Sequence, residues 1–156
     1  ALEMGNRLGL EIVITEDIEK AIHQADVVIT ATNSREPVFK GEWLRPGTHV
    51  TAIGSFKPEV RELDSETIKR SRVFVDSLEA AGEEAGDLII PVNEGLVSWD
   101  MVSGEIGEVI AGEKPGRQNV DEITVFKSVG LAIQDAVVAI GAYRKAVKQN
   151  VGASYF

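Results

Sequence analysis

Small hydroxyl residues stand at the ends of four predicted strands, and their side chains have the clearest scope for ligand chemistry. The set comprises Thr32, Ser55, Ser77 and Ser128. Ala31 and Gly54 stand beside the first two, so the backbone at those points can approach a ligand closely. Hydroxyls and open backbone amides suit the hydrogen bonding of a ribose or a nicotinamide ring. Because open parallel sheets bind ligands at the carboxyl ends of their strands, we expect Thr32, Gly54 and Ser55 to contact one.

Ser77 and Ser128 leave two interpretations open. Each precedes a predicted helix, and serine is a common N-cap because its side chain accepts a hydrogen bond from a helix amide. Each serine could therefore cap its helix or contact the ligand.

The sequence contains no phosphate-binding loop of the dinucleotide type. The stretch GNRLG at residues 5–9 has a different glycine spacing, and GSFKPE at 54–59 holds one glycine and a proline. Such a loop normally occupies the first strand–helix turn of a dinucleotide-binding fold. We therefore expect this chain to lack that first unit and to be a fragment of a longer protein.

The elements that position these residues alternate between strands and helices. This alternation predicts an α/β fold with a parallel sheet and right-handed crossovers. Runs rich in β-branched residues predict strands at residues 11–15, 26–32, 49–55, 72–77 and 123–126.

Capping residues mark the predicted shorter helices. Thr15 is expected to cap the first, Asp64 a second at residues 65–71, and Ser103 a third. Gly86 is expected to end the acidic helix LEAAGEEAG in the left-handed conformation.

The sequence after Pro91 predicts irregular chain or broken helical turns. A long helix is expected to begin near Ser128 and to run to about Asn150. It is apolar almost all round from Val129 to Tyr143, which predicts burial on most sides against the sheet.

Composition excludes several classes of site. The net charge is −9, from 25 acidic and 16 basic residues, which disfavours a nucleic-acid or anionic-membrane surface. The sequence has no cysteine, and its two histidines, His23 and His49, form no zinc pattern. Gln134 and Asp135 interrupt the longest apolar tract, so no membrane span is predicted. Without a secretory signal, a cytoplasmic location is expected.

Four stretches together resemble the ornithine cyclodeaminase and mu-crystallin family. They read ADVVITATNSREPVFKGEWLRPGTHVTAIGSFKPEVRELD, VFVDSLEAAGEEAGDL, GEIGEVIAGEKPGR and ITVFKSVGLAIQDAVVA, in order and nearly end to end. The pair GTHVTAIGS and TVFKSVG is the most specific part of the resemblance. Proteins of this family have a Rossmann-type domain and a separate substrate and dimerisation domain. They include ornithine cyclodeaminases, alanine dehydrogenases, ketimine reductases and a thyroid-hormone-binding protein that keeps NADPH.

The resemblance implies a division of the chain into two parts. Residues 1–128 would be the later part of a Rossmann-type domain, and 129–156 a long C-terminal helix and tail, in the same domain or returning to the substrate domain. The implied cofactor is NAD or NADP, and the implied partners are an amino acid or imine substrate and a second copy of the protein.

The resemblance also implies site residues. By the family's pattern, one group lies along the dinucleotide, namely Thr30, Ala31 and Thr32. A second group lies near the nicotinamide, namely Ile53, Gly54, Ser55, Ser128 and Val129.

One position departs from the cyclodeaminase pattern. Where cyclodeaminases carry an acid–base aspartate, this sequence has Phe56. The resemblance therefore favours an NAD(P)-dependent oxidoreductase acting on an amino acid or cyclic imine. The alternatives are a non-catalytic, cofactor-dependent binding protein, an ornithine cyclodeaminase proper, or a scaffold whose serines only cap helices. Lys57 could contact phosphate or substrate, and the isolated chain is expected to be inactive.

Overall fold

The computed structural model describes residues 1–153. The last three residues of the predicted C-terminal tail, 154–156, lie outside the described part. Five strands form one sheet, namely β1 (Val27–Thr30), β2 (His49–Ala52), β3 (Ser71–Val75), β4 (Val102–Glu105) and β5 (Ile123–Lys127). Their order across the sheet is β1-β2-β5-β3-β4, and every neighbouring pair is parallel. The predicted α/β fold with a parallel sheet is therefore confirmed.

The helices lie between the strands and at both ends of the described chain. They are α1 (Leu2–Leu8), α2 (Ile18–Gln24), α3 (Ser65–Arg70), α4 (Leu78–Glu84), α5 (Gly86–Asn93), α6 (Ile106–Ile110) and α7 (Ala132–Gln149). Two 3-10 turns add Gly41–Trp43 and Trp99–Met101. None of the helices among the described residues is both long and apolar enough to cross a membrane.

The main core lies on one face of the sheet. Side chains that are fully buried there include Val50, Val73 and Val125 from the three central strands. Ile68 of α3 and Leu88 of α5 are buried in the same cluster. Burying a side chain of this size contributes about 1.5–3 kcal/mol, so this layer holds the central strands, and with them the loops at their carboxyl ends, in place.

The prediction of a strand at residues 11–15 is wrong. These residues have no regular secondary structure and no ladder partner within residues 1–153. A β-branched run becomes a strand only where a neighbouring edge completes its hydrogen bonds, and β1 pairs with β2 alone. The predicted cap Thr15 is also wrong, because Asp17 caps α2 by accepting from the Lys20 amide.

The second predicted N-cap is confirmed, since the Asp64 side chain accepts a hydrogen bond from the Thr67 amide at the start of α3. Gly86 is not a left-handed stop. It begins α5, where a Cβ would overlap the Val60 carbonyl oxygen. Glycine is needed at this point for a close approach between two segments rather than for a positive φ.

The region after Pro91 is more regular than predicted. Pro91 lies inside α5, and residues Val102–Glu105 form β4, so Ser103 is a strand residue rather than a helix cap. Helix α6 begins instead with a capping box between Glu105 and Glu108. The third predicted helix is present as α6, and pairing with β3 makes a strand of the residues just before it, which were predicted to be irregular.

The long C-terminal helix is present, but its predicted burial is wrong. Helix α7 begins at Ala132, four residues after Ser128, and none of its residues is buried. Ile133, Val138 and Tyr143 are each more than 60% exposed, at 65%, 71% and 71%. The described part of the chain offers this helix no surface to pack against.

Candidate functional site

Strand register places the carboxyl ends of four strands in one row. Thr30 of β1 pairs with Ala52 of β2, which pairs with Lys127 of β5. Lys127 in turn pairs with Val75 of β3. The loops that follow these residues therefore leave the sheet at the same edge, where open α/β sheets bind their ligands.

The Glu62 carboxylate joins the ends of β1 and β2. Its Oε1 atom accepts hydrogen bonds from the Thr32 amide at 2.6 Å and from the Thr32 hydroxyl at 2.8 Å. Its Oε2 atom accepts from the Thr30 hydroxyl at 2.9 Å and from the Gly54 amide at 2.8 Å. Glu62 is fully buried, and these four donors satisfy the lone pairs of an ionised carboxylate. The clamp fixes the two strand-end loops against each other.

The protonation of Glu62 follows from this environment. Burial by itself would raise its pKa, but the bonds from Thr32, Gly54 and Thr30 favour the charged form and outweigh burial. The pKa of Glu62 therefore lies below its ordinary value. Glu62 is an ionised structural acceptor at neutral pH.

A second buried network lies beside this clamp. The Lys127 Nζ atom lies 2.9 Å from Asp87 Oδ2, and both side chains are fully buried. Lys127 also donates to the Ser55 carbonyl oxygen at 2.6 Å and to the Ser55 hydroxyl at 2.9 Å, while that hydroxyl donates to Asp87. The other oxygen of Asp87 accepts from the Glu62 and Leu63 amides at 2.7 and 2.8 Å. The two networks thus form one continuous buried set.

Asp76 orders the loop that follows β5. One of its oxygens accepts from the Ser128 hydroxyl at 2.7 Å and from the amides of Val129 and Gly130 at 3.0 and 2.9 Å. Ser128 therefore caps no helix and is committed to Asp76, whereas Ser77 does cap α4 by accepting from the Ala80 amide. The capping interpretation is correct for Ser77 and wrong for Ser128.

A cleft of about 350 Å³ opens at the ends of β1 and β2. Its walls come from the loop after β1 and the loop after β2. The lining residues are Asn33, Ser34, Arg35, Gly54, Ser55, Phe56, Lys57, Glu59 and Val60. Ligand pockets in proteins are about 300–1,000 Å³, so this cleft lies at the small end of that range.

His49 lies at the opposite end of β2. Its ring nitrogens contact the hydroxyls of Thr124 at 2.8 Å and Thr51 at 3.1 Å. Burial, and then the charge of Arg117, lower the pKa of His49. His23 of α2 is exposed. No cluster of metal-binding side chains occurs in residues 1–153.

Comparison with known proteins identifies the family. A model of the ornithine cyclodeaminase/mu-crystallin family matches residues 1–150. The chain belongs to this family. The family predicted from the four sequence stretches is therefore confirmed.

Three members illustrate the similarity. A Delta(1)-pyrroline-2-carboxylate reductase from Bacillus cereus is 46% identical over 147 residues, which are 94% of this chain and 45% of that protein. The structure of the Thermococcus litoralis Delta(1)-pyrroline-2-carboxylate reductase in complex with NADH and L-proline matches 99% of this chain and 48% of that chain, with 47% identity and a TM-score of 0.93. An archaeal alanine dehydrogenase dimer with bound NAD matches 99% of this chain and 48% of that one, with 41% identity and a TM-score of 0.86. The chain thus spans about half the length of these family members.

Only some of the site residues predicted from the sequence line the cleft of this chain. Gly54 and Ser55 line it. Ala31 and Ile53 are exposed at the same edge, beyond the ends of their strands. Thr30 and Thr32 direct their hydroxyls to Glu62, and neither is among the cleft-lining residues. A third group, Ser128 and Val129, is half-buried on the loop that Asp76 orders.

Sequence analysis missed the four charged residues that organise this edge. They are Glu62, Asp76, Asp87 and Lys127. Lys127 offered a signal, because it ends a buried strand in which a lysine requires a partner. Asp76 likewise follows a buried strand directly. Glu62 lies in a loop, and Asp87 lies in the first turn of α5, where an acidic residue is common for other reasons.

Proposed function

We propose that the cleft at the carboxyl ends of β1 and β2 holds the nicotinamide end of NAD or NADP. The observation that carries this proposal is its position, at the edge where the register aligns the strand ends. Its size suits a nicotinamide and its ribose. The related reductase from Thermococcus litoralis is in complex with NADH, and the related alanine dehydrogenase has bound NAD.

The proposed contacts at this edge are the residues named from the sequence. Thr30, Ala31 and Thr32 would follow the dinucleotide, with the Thr30 and Thr32 hydroxyls acting through Glu62. The others would lie near the nicotinamide, namely Ile53, Gly54, Ser55, Ser128 and Val129. Glycine at position 54 has a packing reason as well, because a Cβ there would overlap the Thr32 backbone and the Glu62 carboxylate.

The proposed activity is that of an NAD(P)-dependent oxidoreductase acting on an amino acid or cyclic imine. The bound nicotinamide supplies or accepts a hydride, and the chain's own residues position the ring and limit water access. Phe56 is 55% exposed and lines the cleft, so it offers an apolar surface beside the reacting ring. Arg35 and Lys57 on the same lining could pair with a substrate carboxylate.

Phe56 also separates this proposal from the cyclodeaminase alternative. Its side chain neither accepts nor donates a proton, so it cannot serve as the acid–base group that the family resemblance assigns to that position. A binding protein without turnover remains the second candidate. The apolar Phe56 side chain favours it as well, since that position of the cleft carries no acid–base group.

We further propose a domain division and an assembly. Residues 1–128 would belong to the Rossmann-type domain, and 129–156 to a helix and tail that pack on another part of a longer protein. That protein would be cytoplasmic and a homo-oligomer, bound to neither nucleic acid nor membrane. The exposed apolar side chains of α7 support a packing partner for this helix.

The test uses a protein that contains this sequence and has the length of the relatives. We call it the full-length protein. Calorimetry should detect NADH or NADPH binding, and absorbance at the nicotinamide band should report reduction of a cyclic imine carboxylate. Binding without turnover on imines or amino acids would favour the binding-protein alternative. The absence of any nicotinamide cofactor binding would overturn the proposal.

A further inference from the structure

The Lys127 ammonium has a complete set of acceptors inside the protein. Its three N–H donors meet three atoms, namely the Ser55 carbonyl oxygen, the Ser55 hydroxyl and Asp87 Oδ2, at 2.6, 2.9 and 2.9 Å. Lys127 is fully buried. A charged lysine has three donors and no acceptor, so none remains for a ligand. Lys127 therefore acts on the cleft through Ser55 and Asp87.

Asp87 is satisfied in the same way. It accepts from the Glu62 and Leu63 amides through one oxygen, and from the Ser55 hydroxyl and Lys127 through the other. The pair thus holds Ser55 by both its side chain and its backbone. Removing a charged pair from water costs several kcal/mol per ion unless partners compensate it, so a buried pair at this position calls for an explanation beyond stability.

The Ser55 carbonyl has a geometric consequence for the next residue. A trans peptide is planar, so the N–H of Phe56 points away from the Ser55 carbonyl oxygen. That oxygen points into the protein toward Lys127, so the Phe56 N–H points outward, to the side where Phe56 is exposed. Within residues 1–153 this amide donates no hydrogen bond. Both Ser55 and Phe56 line the cleft.

We infer that Lys127 is a positioning residue that turns the Ser55–Phe56 peptide so that the Phe56 N–H can bind the carboxamide oxygen of nicotinamide. The inference rests on the proposed function, because it concerns the same cleft. Lys127 holds the carbonyl of this peptide, Asp87 holds the hydroxyl of Ser55, and the ligand receives the outward N–H.

The test compares two ligands of the full-length protein. NADH carries the nicotinamide ring, whereas ADP-ribose has the adenine, pyrophosphate and both riboses without it. The informative variant is Lys127→Met combined with Asp87→Asn, which removes both charges together. The amide introduced at position 87 can still accept from the Glu62 and Leu63 amides and donate to the Ser55 hydroxyl, but the Ser55 carbonyl loses its partner. Lys114→Met is the matched lysine control, because Lys114 pairs with Glu108 at 2.9 Å, away from this network.

The expected result is a loss that is specific to the nicotinamide. NADH affinity should fall about tenfold, because the loss of one oriented hydrogen bond changes an affinity by about that factor. ADP-ribose affinity should stay within about twofold. Lys114→Met should leave both unchanged. Equal losses for both ligands, or no loss for either, would overturn the inference and leave the proposed function standing. A wild-type protein that binds neither NADH nor ADP-ribose would overturn the proposed function, and the inference with it.

A second measurement needs no variant. Hydrogen exchange at the Phe56 amide should be slowed by NADH and not by ADP-ribose, because only NADH has the carboxamide. Equal exchange with the two ligands would show that this amide does not contact the ring. The exchange experiment tests the contact of the Phe56 amide even when the double variant is too unstable to purify.

Discussion

Glu62 and Thr32, thirty residues apart in sequence, are joined by two hydrogen bonds to one oxygen. The Thr32 amide lies 2.6 Å from Glu62 Oε1 and the Thr32 hydroxyl lies 2.8 Å from it. The other Glu62 oxygen holds Gly54 on the neighbouring loop. The shape of the cleft at this edge therefore depends on a residue that does not line it.

Replacing Glu62 by glutamine should destabilise the fold. A glutamine side chain has one acceptor oxygen and an NH2 group, so donors from Thr32 or from Thr30 and Gly54 would lose their acceptor. Each buried donor left unpaired costs about 1–3 kcal/mol. Urea unfolding followed by circular dichroism measures the loss, and Glu66→Gln on the exposed side of α3 is the control. Equal unfolding midpoints for the two variants would contradict the clamp.

The contribution of Glu62 should depend on pH in a defined direction. Its folded pKa lies below the ordinary value of 4.5, so the unfolded chain binds the proton more readily. The stabilisation is therefore complete above the unfolded pKa and is lost as the pH falls through the folded pKa. The stability difference between wild type and Glu62→Gln should be constant near neutral pH and shrink below about pH 4. A difference that grew on acidification would contradict this assignment.

Breaking the buried ion pair on one side should cost more than removing both charges. Lys127→Met leaves the buried Asp87 carboxylate without its counter-ion, which typically costs about 3–5 kcal/mol. Adding Asp87→Asn should recover part of that loss, and the double-mutant cycle gives the coupling. Because both groups are fully buried, added salt should change the coupling little. Additive single effects would show that the pair is not coupled.

Two glycine substitutions should have opposite effects. Gly54→Ala should destabilise the chain and weaken cofactor binding by the full-length protein, because a Cβ overlaps the Thr32 backbone. Gly82 lies inside α4 with open space around its Cβ position, so Gly82→Ala should stabilise by about 0.5–1 kcal/mol. Thermal unfolding measures both. A neutral Gly54→Ala would show that the two loops can separate without cost.

The full-length protein should reduce a cyclic imine and form little proline from ornithine. Cyclisation with loss of ammonia needs an acid–base group near the substrate amine, which contributes about 10²–10⁴-fold, and Phe56 provides none. Phe56→Asp should raise any residual cyclodeaminase activity. Proline formation and NAD(P)H-dependent imine reduction are assayed in parallel. Efficient proline formation without imine reduction would show that Phe56 has been misinterpreted.

The sequence by itself determined the class of fold and the family. Apolar runs predicted four of the five strands, namely β1, β2, β3 and β5. The Asp64 cap was also predictable, because a cap depends on residues three positions apart. The missed strand, β4, contains Gly104 and is held by pairing with β3, which no local pattern encodes.

Only the tertiary structure decided how the candidate site is built. Ser55 and Lys127 are 72 residues apart, and they meet because β5 inserts between β2 and β3. Buried charges such as Glu62, Asp87 and Lys127 are stable only where distant partners supply every hydrogen bond, so their burial cannot be inferred from neighbours in sequence. The apolar pattern of α7 predicts a helix with buried side chains, but it does not specify the surface against which they pack. Local patterns thus define the elements, whereas long-range contacts define which side chains they bury and which they leave exposed.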